Sequence, residues 1–434
     1  MLLLHLSDIH FRALEFGNAQ DPYFAIRENL VQDIVAQFEK LGGKPSSILI
    51  SGDIAYAGAP EEYQFAADWL DQLCDRLNLP HEAVFVIPGN HDVDQRISET
   101  IAVQSLRKSV RDGAAGGQAK TMQKALSEET SRQTLYSPIA SYNDFAARYS
   151  CRLTPPDETI AKEYLELGGG WSLRIIGLNS ALLSGRGDKK NDLLVDNASH
   201  QITVEAGSVT LMMCHHPFEW LRDGNDLRVE MNSVAQLQLF GHEHTVEPEL
   251  ADSYIRLRSA AINPDVAEAE WEPGYNIIDL NVEEAGEKWQ LAVKAYARVW
   301  QRSPPRFRPI MSADDKPFFG RAIPLKNPPT VEMQRVAEEQ YLGGADPTAA
   351  TTLEEVAEVE QQPKVSLPNM RALTLRFFDL TYSQQAAVVV QLGLNEESDA
   401  NLTASVRFSN ALRRAKERGM QAALAKAIFE QEKD

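Results

Sequence analysis

The sequence predicts an α/β domain followed by a small all-α domain. From residue 1 to about residue 178, short apolar runs rich in β-branched residues alternate with helix-like segments, as in sheets whose strands are joined by helices. Several of these runs are followed at once by Asp, Asn or His, the residue types that bind metal ions. From about residue 367 to 434, apolar residues instead recur at helical spacing.

Each predicted strand is a short apolar run whose length and composition favour extended backbone. The runs that precede the polar motifs are 2–6, 48–50, 84–87, 209–214 and 237–240. Further strands are predicted at 172–178, 202–205, 254–257, 275–280 and 289–300. We expect the second half of the domain to be richer in strands and antiparallel. Helices of the first half are predicted at 22–41 and 61–77.

The segment 95–168 interrupts the α/β pattern, and we predict a helical cap insertion with a mobile tip at 112–117. Between residues 95 and 132 it carries seven basic and four acidic residues. Such a local excess can steer a phosphate-bearing substrate toward the site. A solvated helix face is the plainer interpretation and is favoured.

The composition divides the chain into three predicted regions. We expect the α/β domain at residues 1–325, a flexible acidic linker at 326–366 and a helical domain at 367–434. The linker follows from eight acidic and two basic residues between 327 and 366, with few large apolar side chains. The helical domain has no catalytic constellation, so we expect an adaptor for a protein partner, with self-association as an equal alternative.

The overall charge and the chain start restrict the class of protein. A formal net charge of −19 argues against a surface built as a whole for nucleic acid. Residues 1–4 lack a basic leader, and no apolar run reaches the roughly 18 residues of a membrane span. We therefore expect a cytoplasmic location and no membrane partner. The distant Cys74, Cys151 and Cys214 suggest neither a disulfide framework nor a thiolate metal site.

The polar motifs after the apolar runs predict one binuclear metal site. They are Asp8-Ile9-His10, Gly52-Asp53, Gly89-Asn90-His91-Asp92, His215-His216-Pro217 and Gly241-His242-Glu243-His244. Loops at the carboxyl ends of parallel strands meet at one sheet edge, so these side chains can converge. Carboxylate, imidazole and amide ligands suit Mn²⁺, Fe²⁺ or Zn²⁺. Two ions about 3.5–4 Å apart need a shared carboxylate, and Asp53 is the natural bridge.

The motif order D-x-H, GD, GNHD, H and GHxH resembles that of the calcineurin-like metallophosphoesterases over about residues 1–300. The resemblance implies a two-sheet β-sandwich flanked by helices and two divalent ions, with Mn²⁺ expected first and Fe²⁺ or Zn²⁺ as alternatives. It implies that one ion is held by Asp8, His10, Asp53 and His244. It implies that the other is held by Asp53, Asn90, His215 and His242. His216 is then a substrate contact or a support for the ligands.

The same resemblance implies a hydrolase. The motifs are most similar to the cyclic-nucleotide phosphodiesterase branch and next to the Mre11/SbcD nucleases, and they lack the GDxxDRG and GNHE of protein phosphatases. We therefore expect a phosphodiesterase acting on a nucleotide or nucleic acid through a hydroxide that bridges the ions. His91 is the expected general acid for the leaving alkoxide, with Asp92 orienting its ring.

Two other functions are alternatives. The C-terminal helices resemble the adaptor domains attached to effectors in bacterial conflict systems, which would suit a nuclease effector in antiviral defence. The second alternative is a non-catalytic scaffold whose metal site is only structural, although the chain keeps the full ligand set together with His91. Glu243, inside the last motif, is expected to face solvent.

Overall fold

The computed structural model describes residues 1–13, 21–113, 118–156, 158–244, 246, 248–263, 272–286, 288–330, 369–400 and 402–433. The chain divides into two units, one of Met1–Leu167 with Trp171–Pro328 and the other of Gly168–Gly170 with Pro329–Asp434. Residues 331–366 of the predicted linker and 114–117 of the predicted mobile tip lie outside the described residues. The domain boundaries drawn from the sequence stay predictions.

The strands of the first unit form two mixed sheets. In chain order they are β1 (Leu2–Leu6), β2 (Ser47–Ile50), β3 (Val84–Val86), β4 (Ala161–Gly168), β5 (Trp171–Gly177), β6 (Ser208–Cys214), β7 (Leu237–Phe240), β8 (Pro248–Leu250), β9 (Ile255–Arg258), β10 (Gly274–Ala285), β11 (Lys288–Gln301), β12 (Arg306–Pro309) and β13 (Phe319–Leu325). The first sheet has the order β12-β11-β10-β1-β2-β3, with β13 also paired to β11. The second sheet has the order β4-β5-β6-β7-β9-β8.

Two expectations about the strands are wrong. Residues 202–205 form no strand, although Ile202 and Val204 favour extended backbone, because this exposed segment pairs with no neighbouring strand in the described sheets. The second half is also not antiparallel throughout. Strands β5, β6, β7 and β9 pair in parallel, since the long connections between them allow crossovers, whereas β10 to β13 pair antiparallel.

The helices of the first unit cover the sheets and form the insertion. They are α1 (Phe24–Leu41), α2 (Pro60–Arg76), α3 (Gln95–Ser98), α4 (Ile101–Arg111), α5 (Gln118–Ser127), α6 (Glu129–Tyr136), α7 (Ala140–Ala147) and α8 (Gly224–Val234). Helix α1 buries a stripe that includes Leu30, Ile34 and Phe38 at helical spacing. It ends where Gly42 turns the backbone to φ 74°, a left-handed conformation that favours glycine.

The two sheets pack face to face. An added Cβ at Gly177 of β5 would lie 2.4 Å from Ile87, just beyond β3, so the sheets approach each other closely at this glycine. The rings of Trp171 and Trp289, one from each sheet, have centroids 6.0 Å apart. Strands β2 and β7 are buried at every position, as expected where both faces of a sheet are covered. The predicted two-sheet sandwich flanked by helices is confirmed.

Helices α3 to α7 occupy the first part of the segment predicted as a helical insertion, and β4 occupies its end. Two of its basic residues point inward. Arg107 is 1% exposed and donates to the carbonyl of Ser184, while Arg111 donates to the carbonyl of Leu183. These two guanidinium groups tie α4 to the loop after β5. They therefore belong neither to a solvated helix face nor to a surface that steers substrate.

The second unit contains four α-helices among its described residues. They are α9 (Met370–Asp379), α10 (Tyr382–Gln391), α11 (Ala404–Glu417) and α12 (Gln421–Gln431). Their apolar stripes meet in a core that includes Phe377, Val388, Phe408 and Leu424. This unit therefore has a hydrophobic core of its own. Across both units, none of the helices in the described ranges combines the length and the apolar character needed to span a bilayer.

Candidate metal centre

The predicted ligands lie on loops that directly follow five strands. Asp8 and His10 follow β1, Asp53 follows β2, Asn90 and His91 follow β3, His215 follows β6, and His242 and His244 follow β7. Strands β1 to β3 run in parallel in one sheet, and β6 and β7 run in parallel in the other. Because parallel strands end at a common edge, the five loops of the two stacked sheets meet there.

The backbone of these loops is unusual. Asp8, His10, Asp53, His242 and His244 have φ values of 54°, 52°, 53°, 70° and 54°, in the left-handed region that side chains with a Cβ rarely adopt. Such conformations persist only where the surrounding structure enforces them, and they concentrate at functional sites. The short turns direct the ligand side chains of adjacent loops into one space.

Three glycines allow the loops to approach. An added Cβ at Gly89 would lie 2.2 Å from Asp53 Oδ1, and one at Gly241 would lie 2.9 Å from Asp8 Oδ2. At Gly52, which has φ 100°, an added Cβ would lie 2.6 Å from His215 Nδ1. Only glycine fits at these positions without displacing a predicted ligand.

Asp8, His10 and His244 form the first group, with one potential ligand atom from each within 4.8 Å of the others. His244 Nε2 lies 3.3 Å from Asp8 Oδ1. The Nδ1 atom of His10 lies 3.2 Å from the carbonyl oxygen of Asn263, to which it donates, so Nε2 is left as the potential ligand atom.

Asn90, His215 and His242 form the second group. Asn90 Oδ1 lies 3.1 Å from His215 Nε2 and 2.9 Å from His242 Nδ1. His215 Nδ1 donates to the carbonyl oxygen of Ser51 over 2.8 Å, which fixes the ring and leaves Nε2 directed at the other ligands. The same face carries a side-chain oxygen and two imidazole nitrogens, a donor set suited to borderline divalent ions.

Asp53 lies between the two groups. Its Oδ2 atom is 3.4 Å from His10 Nε2 in the first group and 3.3 Å from His215 Nε2 in the second. Its Oδ1 atom accepts a hydrogen bond of 2.7 Å from the backbone N–H of His91. A buried carboxylate that faces ligands of both groups has the position that a bridging ligand requires.

The ionisable groups of the site perturb one another strongly. Burial by itself would raise the pKa of Asp53, but the charges of His215 and His91 and the hydrogen bonds from His10 and His215 hold it well below its ordinary value. Burial by itself would lower the pKa of His215, but the charge of Asp53 and its hydrogen bond raise it to about 9. Burial and the charge of His215 lower the pKa of His242 to about 4. At neutral pH the ring of His242 is therefore already deprotonated, as a metal ligand must be, whereas a cation that binds beside Asp53 would have to displace a proton from His215.

His91 is oriented by a backbone carbonyl. Its Nδ1 atom donates to the carbonyl oxygen of Tyr56 over 2.7 Å, so Nε2 is left for another partner. A ring nitrogen of His91 lies within 4.8 Å of ligand atoms of His10 and Asp53. The Tyr56 ring packs at 5.2 Å from the His91 ring.

The expectation that Asp92 orients the His91 ring is wrong. Asp92 instead accepts hydrogen bonds from the backbone N–H groups of Gly89, Ile54 and Ala55 and from the hydroxyl of Tyr63. Burial and the charge of Asp53 raise the pKa of Asp92 to about 6. The carboxyl of Asp92 thus holds together the two loops that carry Asp53 and Asn90, because Ile54 and Ala55 belong to the first loop and Gly89 to the second.

His216 lies buried beside the second group. Its Nδ1 atom is 2.8 Å from Ser180 Oγ, and its ring centroid is 4.5 Å from that of His242. A nitrogen of His216 lies within 4.8 Å of ligand atoms of His215 and His242. Its Nε2 atom has no hydrogen-bond partner within the described part of the chain. The structure therefore brings His216 to the ligands and leaves one nitrogen available.

The expectation that the side chain of Glu243 faces solvent is wrong. It is 17% exposed, accepts from Trp220 Nε1 over 3.2 Å and pairs with Lys190 at 3.0 Å and with Arg258. The Trp220 ring packs edge-on against His242 with centroids 4.1 Å apart. Glu243 thus fixes an aromatic wall of the site, which sequence analysis missed because Trp220 lies in no metal motif.

Two stacked sheets whose loops gather imidazole, carboxylate and amide ligands at one edge define a class of metal-binding α/β sandwich proteins. Residues 1–246 of the chain match the family described as calcineurin-like phosphoesterase. Because this match covers more than half of the 434 residues, the chain belongs to that family of hydrolases. Residues 369–430 match the GTPase-associated adaptor domain, which confirms the predicted likeness of the C-terminal helices to adaptor domains.

Individual proteins match this chain either over a short segment or at low sequence identity. The chain is 40% identical over 102 residues to the glycerophosphodiester phosphodiesterase GpdQ of Enterobacter lignolyticus (strain SCF1), a match that covers 21% of this chain and 30% of that relative. Among solved structures, a mutant of Vps29 from Entamoeba histolytica is 11% identical, with a TM-score of 0.29 over 75% of this chain and 100% of that one. GAP50 of Plasmodium, titled the anchor in the inner membrane complex, is 9% identical, with a TM-score of 0.38 over 80% and 95%.

Proposed function

We propose that this protein is a binuclear-metal-dependent phosphodiesterase that hydrolyses a phosphodiester bond of a nucleotide or nucleic acid, with a small diester such as a cyclic nucleotide as the favoured substrate. The observation that carries the proposal is the position of Asp53, whose Oδ2 atom faces His10 at 3.4 Å and His215 at 3.3 Å. A carboxylate shared between two groups of ligands is the arrangement that two-metal hydrolases need. The 102-residue likeness to a glycerophosphodiester phosphodiesterase supports a diester as the substrate.

The donor set fits two divalent ions. The first would be held by Asp8, His10, Asp53 and His244, and the second by Asp53, Asn90, His215 and His242. Nitrogen and oxygen ligands without a thiolate suit Mn²⁺, Fe²⁺ or Zn²⁺. Among these we propose Mn²⁺ first, as the family resemblance implies. When bound, such ions lower the pKa of water and neutralise the oxygens of the phosphoryl group.

The protein's own residues supply the proton transfer and the substrate orientation. His91 would protonate the leaving alkoxide through Nε2, because Nδ1 is engaged by the Tyr56 carbonyl. Asp92 would act indirectly, by holding the loops of Asp53 and Asn90 in position through backbone N–H groups. The Nε2 atom of His216, which has no hydrogen-bond partner in the described part of the chain, would either donate to a substrate oxygen or support the neighbouring ligands.

The test is a hydrolysis assay with bis(p-nitrophenyl) phosphate on chelator-treated protein. We expect no turnover without metal, restored turnover with Mn²⁺ and a weaker response to Zn²⁺ or Fe²⁺. The Asp53→Asn variant should bind metal poorly and stay inactive, while the matched surface variant Asp68→Asn should behave as the native chain. Metal binding without turnover on any diester would instead support the alternative of a non-catalytic scaffold.

A second candidate is a nuclease effector of a bacterial defence system that is recruited through the C-terminal helices. The match of residues 369–430 to a GTPase-associated adaptor domain favours recruitment by a protein partner. A substrate panel separates the candidates, with cyclic nucleotides and glycerophosphodiesters on one side and plasmid, single-stranded DNA and RNA on the other. Faster turnover of the small diesters supports the first proposal. The cytoplasmic location expected from the sequence stays a prediction.

A further inference from the structure

A cavity lies between α1 and the β11–β12 end of the first sheet, and it is separate from the metal centre. Its volume is about 650 Å³, within the roughly 300–1,000 Å³ range of small-molecule sites. None of its lining residues belongs to the groups of potential metal ligands. Any ligand of this cavity would therefore bind separately from the substrate of the metal centre.

One wall of the cavity is a face of α1. The lining residues from this helix are Asp33, Ala36, Gln37, Lys40 and Leu41, which recur at the three- and four-residue spacing of one helix face. The buried stripe of the same helix is formed by different residues, including Leu30, Ile34 and Phe38. Helix α1 thus has two separate faces, one packed into the core and one open to the cavity.

The other wall comes from the sheet. Tyr296 and Arg298 of β11 and Arg306, Phe307 and Arg308 of β12 line it. Two aromatic side chains and the neighbouring aliphatic ones provide an apolar surface, while the guanidinium groups provide hydrogen-bond donors in a planar fork. The cavity therefore combines an apolar body with a basic rim.

The lining of the cavity carries a positive net charge, whereas the net charge of the whole chain is negative. One acidic residue, Asp33, lines it, and this carboxylate is already engaged by Arg298 at 2.5 and 2.8 Å and by the Tyr275 hydroxyl at 2.7 Å. Lys40 and Arg306 have no ion-pair partner among the residues that the structure describes. Arg308 lies 3.8 Å from Glu272, and both side chains are about half exposed. Two cations, Lys40 and Arg306, are therefore unpaired among the described residues. The long and exposed contact between Arg308 and Glu272 is weak enough for an anion to replace it, in a protein of net charge −19.

Charged residues on an edge strand have another established use, because they prevent one sheet from pairing with the edge of another. That role explains Arg306 and Arg308, which lie on the edge strand β12. It does not explain Lys40, which lies on α1 across the cavity. Basic side chains on both walls indicate a ligand between them.

We propose that this cavity binds an organic phosphate of about mononucleotide size. Its phosphate would be held by Lys40, Arg306 and Arg308, because guanidinium and ammonium groups match phosphate oxygens. Its apolar or aromatic body would pack on Tyr296 and Phe307. Arg298 holds the helix wall against the sheet wall through Asp33 and does not contact the ligand.

Equilibrium dialysis with ADP as the probe tests this site. The pocket variant combines Lys40→Gln, Arg306→Gln and Arg308→Gln. The control combines Lys162→Gln, Lys288→Gln and Lys326→Gln, exposed residues that do not line the cavity, so both variants lose the same charge. We expect the native chain and the control to bind one more equivalent of ADP than the pocket variant. We expect adenosine and inorganic phosphate to bind at least tenfold more weakly than ADP.

Binding at the metal centre is common to all three proteins, so the difference in stoichiometry isolates the cavity. Hydrolysis of bis(p-nitrophenyl) phosphate by the pocket variant should stay within twofold of the native rate, which also shows that the variant is folded. Equal ADP stoichiometry in the native chain and the pocket variant would overturn the proposal. Equal affinity for ADP and inorganic phosphate would show that the apolar body of the ligand contributes nothing, and would contradict the proposal of an organic phosphate.

Discussion

Five of the potential metal ligands have left-handed backbone, and they account for half of the ten non-glycine residues with positive φ in the described part of the chain. For residues with a Cβ, a sparsely populated conformation of this kind costs about 1–3 kcal/mol. The cost is met by the packing of fully buried strands such as β2 and β7 directly before the loops. The positions of the potential ligands are therefore set by the fold.

The close approach at Gly89 provides a sharp test of this arrangement. An added Cβ at Gly89 would lie 2.2 Å from Asp53 Oδ1, so Gly89→Ala must displace the proposed bridging carboxylate. We expect at least a tenfold weaker affinity for Mn²⁺, measured by isothermal titration, with the secondary structure kept. The control is Gly43→Ala, where the added Cβ meets only the flexible side chain of Leu2 at 3.2 Å. Native affinity in Gly89→Ala would contradict the proposed bridge.

His91→Ala separates proton transfer from metal binding. We expect the variant to keep its metal content, because His91 is not among the proposed ligands, and to lose about 10²–10⁴-fold in turnover of a diester with a poor leaving group. The turnover of bis(p-nitrophenyl) phosphate should fall much less, because its leaving group needs little protonation. Elemental analysis beside the two rates is the measurement, with His81→Ala as the control. An equal loss on both substrates would remove His91 from the role of general acid.

At the scale of elements, side-chain hydrogen bonds from helices to loops hold the loops of the site in place. The insertion reaches the loop after β5 through Arg107, which bonds to the carbonyl of Ser184 and, over 2.5 Å, to the hydroxyl of Ser98. Four residues before Ser184, Ser180 contacts His216. The predicted cap is thus attached to the loop that supports His216.

Arg107→Ala should destabilise the first unit. The substitution leaves the buried carbonyl of Ser184 without its donor, a loss of about 1–3 kcal/mol. Urea denaturation followed by fluorescence measures the change, and Lys108→Ala, an exposed neighbour on α4, should change the free energy of unfolding by less than about 0.5 kcal/mol. The same stability in both variants would mean that the contact between α4 and the loop contributes nothing.

His200 links the short turn that contains it to α8. Its two ring nitrogens lie 2.9 Å from Asp223 and 2.8 Å from Glu230, and the hydrogen bond to Asp223 is the largest cause that raises its pKa to about 9. A raised pKa in the folded state gives stability that is fully present below pH 6.5 and is lost as the pH rises through about 9. We expect thermal stability to fall across this window in the native chain.

His200→Gln should flatten that dependence, because glutamine cannot carry the charge. Melting temperatures of both proteins between pH 6 and 9.5 provide the measurement. The difference between them should shrink as the pH rises. A constant difference across the range would show that the charge of His200 contributes no stability, and that only its packing does.

At the scale of the whole molecule, the two units have separate cores. The second unit packs Phe377, Val388, Phe408 and Leu424 against one another, and the predicted ligands all belong to the first unit. Hydrolysis and partner binding are therefore expected to be separable by deletion.

Removing residues 367–434 should leave the rate of small-diester hydrolysis within about twofold of native. It should abolish binding of the protein partner that we expect for an adaptor, or lower the oligomeric state if these helices self-associate. Rate assays and light scattering on the full and shortened chains distinguish these outcomes. Loss of hydrolysis in the shortened chain would instead assign the helices a structural role in the first unit.

Much of the fold followed from periodicity, while individual strands depended on their partners. The runs of β1, β2, β6 and β7 were predicted because strands buried on both faces are mostly apolar, and single polar residues such as His5, Thr210 and Gln238 did not hide that signal. The segment 202–205 has the same local preference but forms no strand, since extended backbone is stable only when a neighbour accepts its hydrogen bonds. Parallel pairing in the second sheet likewise depends on crossovers that local sequence does not specify.

The sequence by itself determined the ligand types, their order and their position after strands, because strand ends and metal-binding residues are both local features of the chain. Only the tertiary structure decided how these residues are oriented. It assigned the Tyr56 carbonyl rather than Asp92 to the His91 ring, and it turned Glu243 toward Trp220. These contacts join residues 20 or more positions apart, and their geometry follows from the packing of two sheets, which local spacing does not encode.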